Sequence, residues 1–270
     1  MELRPLGDTG ILVSPLGLGT VKIGRDRQVK YPRGFTIPGD DAVRDLLALA
    51  RELGINVVDT APAYGNSEER LGALLPHKQD WVIVTKVGEI FEHGVSRFDF
   101  SAAHARMSVE RSLRRLGRDW VDVVLVHSDG NDMHIIEHEG VLDELARLKA
   151  EGLIRAYGMS TKTTEGGLWT VEHTDVVMAT CNPRDVHDIP VIARARELGK
   201  GVLVKKGLMS GHADAAAGGG GIAAAMEFVF ATPGVSCMIT GTINPHHLRE
   251  NAAIVERLLA AGACPQPGAT

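Results

Sequence analysis

Val121-Asp122-Val123-Val124-Leu125-Val126-His127 is a short, β-branched apolar run that ends in a histidine, and two earlier stretches follow the same pattern. Those stretches are Trp81-Val82-Ile83-Val84-Thr85-Lys86 and Ile55-Asn56-Val57-Val58-Asp59. Such runs predict buried parallel strands, and in a barrel of parallel strands the carboxyl ends meet at the face where chemistry takes place. We therefore expect one pocket to contain Asp59, Lys86 and His127, together with Tyr64, which follows Asp59 by five residues.

The alternation of a short strand with a longer helical stretch continues along the chain. Further strands are predicted at Leu16–Thr20, Ile154–Ser160, Asp175–Asn182, Gly201–Lys205 and Val235–Gly241. Helices are predicted near Asp40–Leu53, Ser67–Leu75, Ala102–Leu116, Ile189–Leu198, Ile222–Phe230 and Pro245–Leu259, with another after Ser160. A further helix is predicted through Leu142, Leu145 and Leu148, ending at Gly152. About eight βα units result, so a closed barrel and a doubly wound sheet are the main choices. The eightfold count favours an α/β fold of the (β/α)8 TIM-barrel type.

Loops and turns complete this organisation. Leu3 to Leu16 has Gly7-Asp8-Thr9-Gly10 at its middle, which predicts an N-terminal β-hairpin. Gly218-Gly219-Gly220-Gly221 is not followed by Lys-Ser or Lys-Thr, which excludes a P-loop and favours a flexible loop. No G-x-G-x-x-G follows the first strand, so a dinucleotide would not be held in the Rossmann manner. No linker divides the sequence, and residues 1–270 are predicted to form one domain.

Composition narrows the class of protein. The 270 residues are 44% hydrophobic, and the formal net charge of -5 argues against general nucleic-acid binding. Three widely spaced cysteines suggest neither a disulfide framework nor a metal site, so a reducing compartment is the simpler interpretation. Because neither a signal peptide nor a run long enough to cross a bilayer is evident, we expect no membrane association and a cytoplasmic location.

The four polar residues also have structural interpretations. Asp59 and Lys86 could form a structural ion pair, Tyr64 could pack on the barrel rim, and His127 could be a satisfied histidine at a strand end. A joint functional interpretation gives each of them a task. A tyrosine needs its anion stabilised to act as an acid or base at neutral pH, and a nearby ammonium held by a carboxylate can do this. The imidazole can orient a carbonyl, and since no side chain supplies hydride, a nicotinamide cofactor is implied.

At this point the chain resembles the aldo-keto reductase family over nearly its whole length. The matching segments are Gly17-Leu18-Gly19-Thr20, Val58-Asp59-Thr60-Ala61-Pro62-Ala63-Tyr64-Gly65, Thr85-Lys86, Ser112-Leu113-Arg114-Arg115-Leu116-Gly117, Val126-His127, Gly152-Leu153-Ile154-Arg155-Ala156-Tyr157-Gly158-Met159-Ser160, Gly241-Thr242 and His247-Leu248-Arg249-Glu250-Asn251. Each segment alone is weak evidence, whereas their common order and spacing are specific.

The resemblance implies a (β/α)8 barrel that reduces an aldehyde or ketone with NADPH, with NADH as the alternative. Tyr64 would be the general acid, Lys86 and Asp59 would tune it, and His127 would orient the carbonyl. The implied cofactor-binding residues are Gly19, Thr20, Lys22, Asp59, Ser160, Thr161, Met178, Lys205, Gly207, Leu208, Ser210, Gly241, Thr242, His247 and Asn251. The carboxamide would meet Ser160, the pyrophosphate would meet the loop from Lys205 to Ser210, and the adenine would meet Asn251.

This sequence departs from the family pattern where the cofactor would bind. Thr161 replaces an Asn, Met178 replaces a Gln that holds the carboxamide, and Cys181 stands where an aromatic usually stacks on the nicotinamide. Gly241 and His247 replace a Lys and an Arg that often bind the 2′-phosphate. The cationic loop that follows the first strand could compensate for these two, and its charged residues are Lys22, Arg25, Arg27, Lys30 and Arg33.

The substrate pocket is expected to include Tyr64, His127 and Phe91. The surrounding segments are the loop from Val87 to Phe100, Ser128 to His134, and Trp169, none of which offers an arginine clamp for an anionic substrate. Two other functions remain open: a cofactor-binding regulatory subunit with little turnover, and an NAD-dependent dehydrogenase of sugars or alcohols. The sequence does not indicate the physiological substrate or the oligomeric state.

Overall fold

The alternating runs fold into a closed barrel of eight parallel strands, which confirms the predicted fold class. The computed structural model describes residues 1–29, 34–211 and 221–262. The strands in this part of the chain are β1 (Arg4–Pro5), β2 (Leu12–Val13), β3 (Leu16–Gly19), β4 (Val57–Asp59), β5 (Val82–Val87), β6 (Glu89–Glu92), β7 (Val95–Phe98), β8 (Val121–His127), β9 (Ile154–Ser160), β10 (Val176–Thr180), β11 (Gly201–Lys205) and β12 (Cys237–Thr240). The barrel order is β3-β4-β5-β8-β9-β10-β11-β12, and β12 pairs with β3 to close it.

Helices surround the barrel between successive strands. Those in the described ranges are α1 (Asp40–Glu52), α2 (Ser67–Leu74), α3 (Ala102–Leu116), α4 (Asp132–His138), α5 (Val141–Ala150), α6 (Thr164–His173), α7 (Ile189–Glu197), α8 (Gly221–Ala231) and α9 (Pro245–Ala260). Their boundaries lie within a few residues of the predictions, and the helix expected after Ser160 is α6. No helix in these ranges combines the length and the apolar character that crossing a membrane requires.

Side chains of the barrel strands divide into two packed layers, because successive residues of a strand point to opposite faces. The inner layer includes Val57, Val84, Leu125, Met178 and Leu203. The outer layer, between the barrel and the helices, takes the alternate positions, such as Val58, Ile83, Val124, Val177 and Val204. The barrel is therefore filled from within, and only the last inward-facing residue of each strand reaches the open end.

The N-terminal hairpin closes the opposite end of the barrel. β1 and β2 pair antiparallel as predicted, with a short 3-10 turn at Gly7–Thr9 between them. Leu6, Ile11 and Val13 are fully or almost fully buried in the inner layer. They leave the carboxyl ends of the strands as the accessible face.

Two elements were not predicted. The loop expected from Val87 to Phe100 contains the antiparallel hairpin β6–β7, and the segment from Ser128 to His134 runs into α4. Both are short insertions in the βα repeat. They were not predicted because their residues lack a long periodic apolar pattern. Most of the glycine run at 218–221 lies outside the described residues, as do Lys30, Arg33, Cys264 and the side chain of Ser210.

Candidate active site

Strand alternation brings eight residues to the open end of the barrel. On β8, Val123 and Leu125 face the inside of the barrel, so His127, two residues further on, also faces inward. In each of the other strands, the last inward-facing residue is found by the same alternation. The eight residues are Gly19, Asp59, Lys86, His127, Ser160, Thr180, Lys205 and Gly241. Three of the four predicted catalytic side chains thus arise from the ends of β4, β5 and β8.

An ion pair lies at the floor of this pocket. Lys86 Nζ is 2.6 Å from Asp59 Oδ1 and donates a second hydrogen bond, of 2.9 Å, to the carbonyl oxygen of Thr60. Both charged side chains are almost fully buried, at 2% and 7% exposure. A buried charge needs its partner, so each group holds the other ionised and in place.

Tyr64 is positioned by a tight loop after β4. Gly65 adopts φ +62°, and a Cβ there would stand 2.0 Å from the carbonyl oxygen of Gly24. The loop therefore packs directly on the segment after β3. The Tyr64 ring lies with its centroid 4.9 Å from Lys86 Nζ and 6.2 Å from the ring centroid of His127, edge to face. The four residues predicted as catalytic are thus gathered in one place.

Burial and charge act in opposite directions on the two proton-carrying groups. Burial raises the pKa of Tyr64 and outweighs the opposite effect of Lys86, so the phenol is protonated at neutral pH. The sequence suggested that a nearby ammonium would stabilise the phenolate. In the structure, burial raises the pKa of Tyr64 by more than Lys86 lowers it. Burial lowers the pKa of Lys86, but Asp59 and Tyr64 more than offset it and keep the amine charged.

His127 has a carboxylate partner that the sequence did not indicate. Its Nδ1 lies 2.8 Å from Glu89 Oε2 at the start of β6, but this buried nitrogen has no hydrogen-bond partner. Glu89 Oε1 accepts hydrogen bonds from Ser96 Oγ at 2.6 Å and from Arg25 Nη1 at 3.1 Å. Although burial opposes ionisation, these hydrogen bonds and the contact with His127 lower the pKa of Glu89 to about 2. Glu89 is therefore a carboxylate at neutral pH.

Lys205 contacts the predicted carboxamide site. Its Nζ donates to Ser160 Oγ at 2.8 Å and to the carbonyl oxygen of Thr161. Burial lowers its pKa to about 7, and the neighbouring Lys206 adds to this effect. The amine lies at the carboxyl end of β11, where it can reach the Ser160 side of the pocket.

The remaining residues can be tested for their fit to a nicotinamide dinucleotide. The side-chain oxygens of Asn251 and Thr161 are both buried without a hydrogen-bond partner, and each could accept or share a hydrogen bond with a ligand. At the neighbouring ends of β3 and β12, Gly19 and Gly241 carry no side chains, and a Cβ on Gly19 would lie 3.6 Å from Gly241 Cα. These features fit a bound cofactor. The described residues contain no group of three or more His, Cys, Asp or Glu placed to hold a metal ion.

Other predicted site residues have structural partners of their own. The buried hydroxyl of Thr20 donates to the carbonyl oxygen of Asp59 and accepts from Ser67 Oγ. Phe91 has the Arg25 guanidinium 3.5 Å above its ring centroid, and Met178 is buried in the inner layer. Their contact with cofactor or substrate stays a prediction, as does that of Gly207, Leu208, Thr242 and the exposed His247.

Two residues named for the cofactor pocket have other partners in the structure. Arg25, in the cationic loop, is 7% exposed and turned inward to Glu89 and the carbonyl oxygen of Ala63. Cys181 does not face the pocket. It alternates with Thr180, faces the outer layer, and has its Sγ 3.7 Å from Thr232 Oγ1.

Sequence reasoning missed three residues of this site. Thr180 is the inward-facing end of β10, and strand parity alone could have identified it. Asp132 is 1% exposed and binds the backbone N–H groups of Lys162 and Thr163, which shapes the turn after Ser160. Glu89 and Asp132 act across long sequence separations, and no local pattern signals either of them.

Comparison with known proteins agrees with this geometry. The model of the Aldo/keto reductase family matches residues 15–182. L-galactose dehydrogenase of Arabidopsis thaliana is 32% identical over 200 residues, which are 67% of this chain and 57% of that protein. NADH-specific methylglyoxal reductase of Escherichia coli (strain K12) is 33% identical over 180 residues, 58% of this chain and 51% of that protein. The chain spans about half the length of the curated relatives it matches.

Solved structures share the whole architecture. A crystal structure from Pseudomonas aeruginosa, described as a "putative aldo-keto reductase", is 55% identical with a TM-score of 0.87, covering 95% of this chain and 96% of that one. An aldo-keto reductase from Bacillus halodurans in its holo form is 24% identical with a TM-score of 0.77, covering 100% and 98%, and shows the shared fold. Since the family model spans more than half of its residues, the chain belongs to the aldo/keto reductase family.

Proposed function

We propose that this protein transfers hydride between NAD(P)H and the carbonyl carbon of a small aldehyde or ketone, with Tyr64 as the general acid. The observation that carries this proposal is the Tyr64 ring, seated between the buried Asp59–Lys86 pair and His127. An acid held beside an imidazole at the open end of a barrel is arranged to bind and protonate a carbonyl oxygen.

The chain's own residues divide the work in this proposal. Tyr64, protonated at neutral pH, donates a hydrogen bond to the carbonyl oxygen and gives up its proton as the alkoxide forms. Lys86 stabilises the phenolate that is left behind, and Asp59 holds Lys86 in position. His127 fixes the direction of the substrate oxygen. The bound nicotinamide supplies the hydride.

For the cofactor we propose NADPH, with NADH as the alternative. Ser160 and Thr161 would meet the carboxamide, the Lys205–Ser210 loop the pyrophosphate, and Asn251 the adenine. The unpartnered oxygens of Thr161 and Asn251 support these positions. NADH remains the alternative because one relative is named an NADH-specific methylglyoxal reductase, and because His247 stands where the family often has an arginine for the 2′-phosphate.

The proposed setting is the reducing interior of a cell. Cys181 and Cys237 are both buried and unbonded, as expected for thiols that are not part of a disulfide framework. The proposed partner is a small carbonyl compound rather than a nucleic acid or a membrane.

Replacement of the acid tests the function directly. We expect Tyr64→Phe to lower kcat for 4-nitrobenzaldehyde reduction by about a hundredfold or more, the range of a lost acid catalyst. NADPH affinity, measured by fluorescence titration, should stay nearly unchanged. Tyr157→Phe is the matched control, because Tyr157 lies on β9 beside Lys149 and outside the pocket.

Two outcomes would contradict the proposal. A Tyr64→Phe enzyme as fast as wild type would remove Tyr64 from its role. Tight NADPH binding without oxidation by any member of a panel of aldehydes and ketones would favour the cofactor-binding subunit instead.

A second candidate is a dehydrogenase that oxidises an alcohol or a sugar. The names of two relatives, L-galactose dehydrogenase and D-arabinose 1-dehydrogenase, agree with such a reaction. Initial rates in both directions, with both cofactors, separate the two candidates.

A further inference from the structure

The amine of Lys205 lies within the pocket, at the end of the strand that precedes the proposed pyrophosphate loop. Leu203, two residues earlier on β11, fills the inner layer, so the Lys205 side chain also points inward. Its Nζ donates to Ser160 Oγ at 2.8 Å and to the carbonyl oxygen of Thr161. The side chain thus passes the end of β10, which lies between β9 and β11, and its amine rests against Ser160.

The hydrogen bonds of Lys205 suit an amine that can lose its proton. A neutral amine has two N–H groups, and Ser160 and Thr161 accept both of them. An ammonium carries a third N–H and a full charge, and in the described ranges no carboxylate hydrogen-bonds to it. Protonation of Lys205 therefore places an uncompensated positive charge on this wall of the pocket.

Charged groups surround Lys205 on several elements without neutralising it. Lys206, next in the chain, and Lys162, after β9, lower its pKa. Asp188, at the N-terminus of α7, and Asp132, in α4, act in the opposite direction. Burial is the largest effect and brings the pKa of Lys205 to about 7. Its charge therefore changes near neutral pH.

Both acids have other partners. Asp132 Oδ2 accepts a hydrogen bond from the backbone N–H of Lys162. Asp188 Oδ2 accepts one from the backbone N–H of Thr180. The two carboxylates thus attract the Lys205 charge through space and form no hydrogen bond with it.

The proposed hydride transfer brings the nicotinamide ring to this part of the pocket. The ring carbon that gives up hydride must approach the carbonyl carbon to within about 3–3.5 Å. In that proposal the carbonyl oxygen lies between Tyr64 and His127, and Lys205 is near enough to His127 for its charge to lower the histidine pKa. Ser160, the proposed contact of the carboxamide, is one hydrogen bond from Lys205 Nζ. A ring held between His127 and Ser160 therefore lies beside the Lys205 amine.

We propose that Lys205 discriminates between the two oxidation states of the cofactor, because its ammonium repels the positive ring of NADP+ and not the neutral ring of NADPH. This inference rests on the proposed function and assigns a group that opposes binding of the oxidised cofactor. Like charges repel more strongly in a pocket with little water than in bulk solvent. Lys205 must therefore give up its proton when NADP+ binds, and NADP+ binding weakens as the pH falls.

The adenosine end of the cofactor does not contribute to this discrimination. NADP+ and NADPH carry the same pyrophosphate and the same 2′-phosphate, so a contact of His247 or of the loop after β11 with these groups affects both alike. The ratio of the two Kd values therefore isolates the effect of charge at the nicotinamide ring. A Lys205 side chain that bound the pyrophosphate instead would strengthen both cofactors equally and leave the ratio unchanged.

Calorimetric titration of the full-length chain with NADP+ and with NADPH measures this ratio. We expect the Kd of NADP+ divided by that of NADPH to rise about tenfold from pH 9 to pH 6, as Lys205 gains its proton. In Lys205→Met the ratio should keep its pH 9 value throughout, because NADP+ then binds more tightly at pH 6. Lys149→Met removes a surface lysine that pairs with Asp175, and as the matched control it should keep the wild-type slope.

The dependence of the binding enthalpy on the buffer gives a second measurement, because it counts the protons exchanged on binding. At about pH 6.5, NADP+ should release most of a proton more than NADPH does when each binds to wild type. This measurement needs no variant to fold. Equal proton release by the two cofactors would overturn the inference.

The titrations can contradict the inference in three further ways. A wild-type ratio that does not change with pH would show that the Lys205 charge does not act on the ring. A slope that survives in Lys205→Met would belong to His127, and an equal loss of affinity for both cofactors in that variant would place Lys205 at the pyrophosphate. Failure of both cofactors to bind would refute the proposed function as well, whereas a pH-dependent ratio without turnover of any aldehyde or ketone would refute the proposed catalysis alone.

Discussion

At the scale of single residues, Lys205 is the least expected feature of the pocket. It is the last residue of β11, and its amine donates hydrogen bonds to Ser160 Oγ and the carbonyl oxygen of Thr161. No carboxylate in the described residues forms an ion pair with it within 4.0 Å, and burial lowers its pKa to about 7. At any pH between about 7 and the ordinary lysine pKa of about 10.4, Lys205 therefore loses its proton when the chain folds.

This depressed pKa predicts a pH dependence of stability. Between about pH 7 and 10 the unfolded chain binds more protons at this position than the folded chain, so the contribution of Lys205 to the free energy of unfolding rises with pH. Lys205→Met should remove that slope. Relative to the variant, wild type should gain roughly 1–3 kcal/mol across this interval in urea unfolding. Parallel stability curves for the two proteins would contradict the depressed pKa.

At the scale of elements, the short loop between β4 and α2 determines the position of Tyr64. The loop depends on two close backbone approaches, because a Cβ on Gly24 would stand 2.2 Å from the carbonyl oxygen of Tyr64 and one on Gly65 would meet Gly24. Hydroxyl groups of Thr20, Thr60 and Ser67 tie the same loop to the strand ends. The position of Tyr64 is thus set by the packing of one loop against another.

A pair of glycine substitutions tests this packing. Gly65→Ala should lower both the free energy of unfolding, by about 2 kcal/mol or more, and kcat, because the left-handed φ and the clash with Gly24 add together. Gly10→Ala has a similar φ of +72° but no atom within 4 Å of the added Cβ, so it should cost only about 1 kcal/mol and leave kcat unchanged. Equal effects on kcat would show that the Gly24 contact does not position Tyr64.

At the scale of the whole molecule, the barrel closes where its last strand meets its first. β12 pairs with β3, and Thr240 Oγ1 donates to the carbonyl oxygen of Gly17 from 223 residues away in sequence. The predicted cofactor residues Gly19 and Asn251 lie on opposite sides of this seam. A bound cofactor would therefore join the two ends of the chain.

Thermal unfolding should report this link. NADPH at about a hundredfold excess over its Kd should add about 2.7 kcal/mol to the free energy of unfolding and raise Tm by several degrees, more than NADH does at the same concentration.

His247→Arg should strengthen NADPH binding by about 1–2 kcal/mol, on the scale of a charged hydrogen bond, with little change for NADH. A larger Tm shift with NADH in wild type, or an equal gain for both cofactors in the variant, would refute this placement of the adenosine end.

Much of the fold was predictable because its signals are local. The period of two in the strands, the period of 3.6 in the helices and the glycines that end them depend on nearby residues, and α3, β9 and β11 begin and end where predicted. The gathering of Asp59, Lys86 and His127 was also predictable, because each is the last inward-facing residue of a parallel strand. The prediction of a single domain over residues 1–270 stays a prediction.

The sequence by itself therefore determined the barrel, the family and the residues at the strand ends. Only the tertiary structure decided the environment of those residues. Arg25 reaches Glu89 across 64 positions and Lys205 reaches Ser160 across 45, and no local pattern encodes such pairs. The contact of His127 with Glu89 and the raised pKa of Tyr64 also depend on the tertiary structure, because charge and desolvation depend on which atoms meet in space.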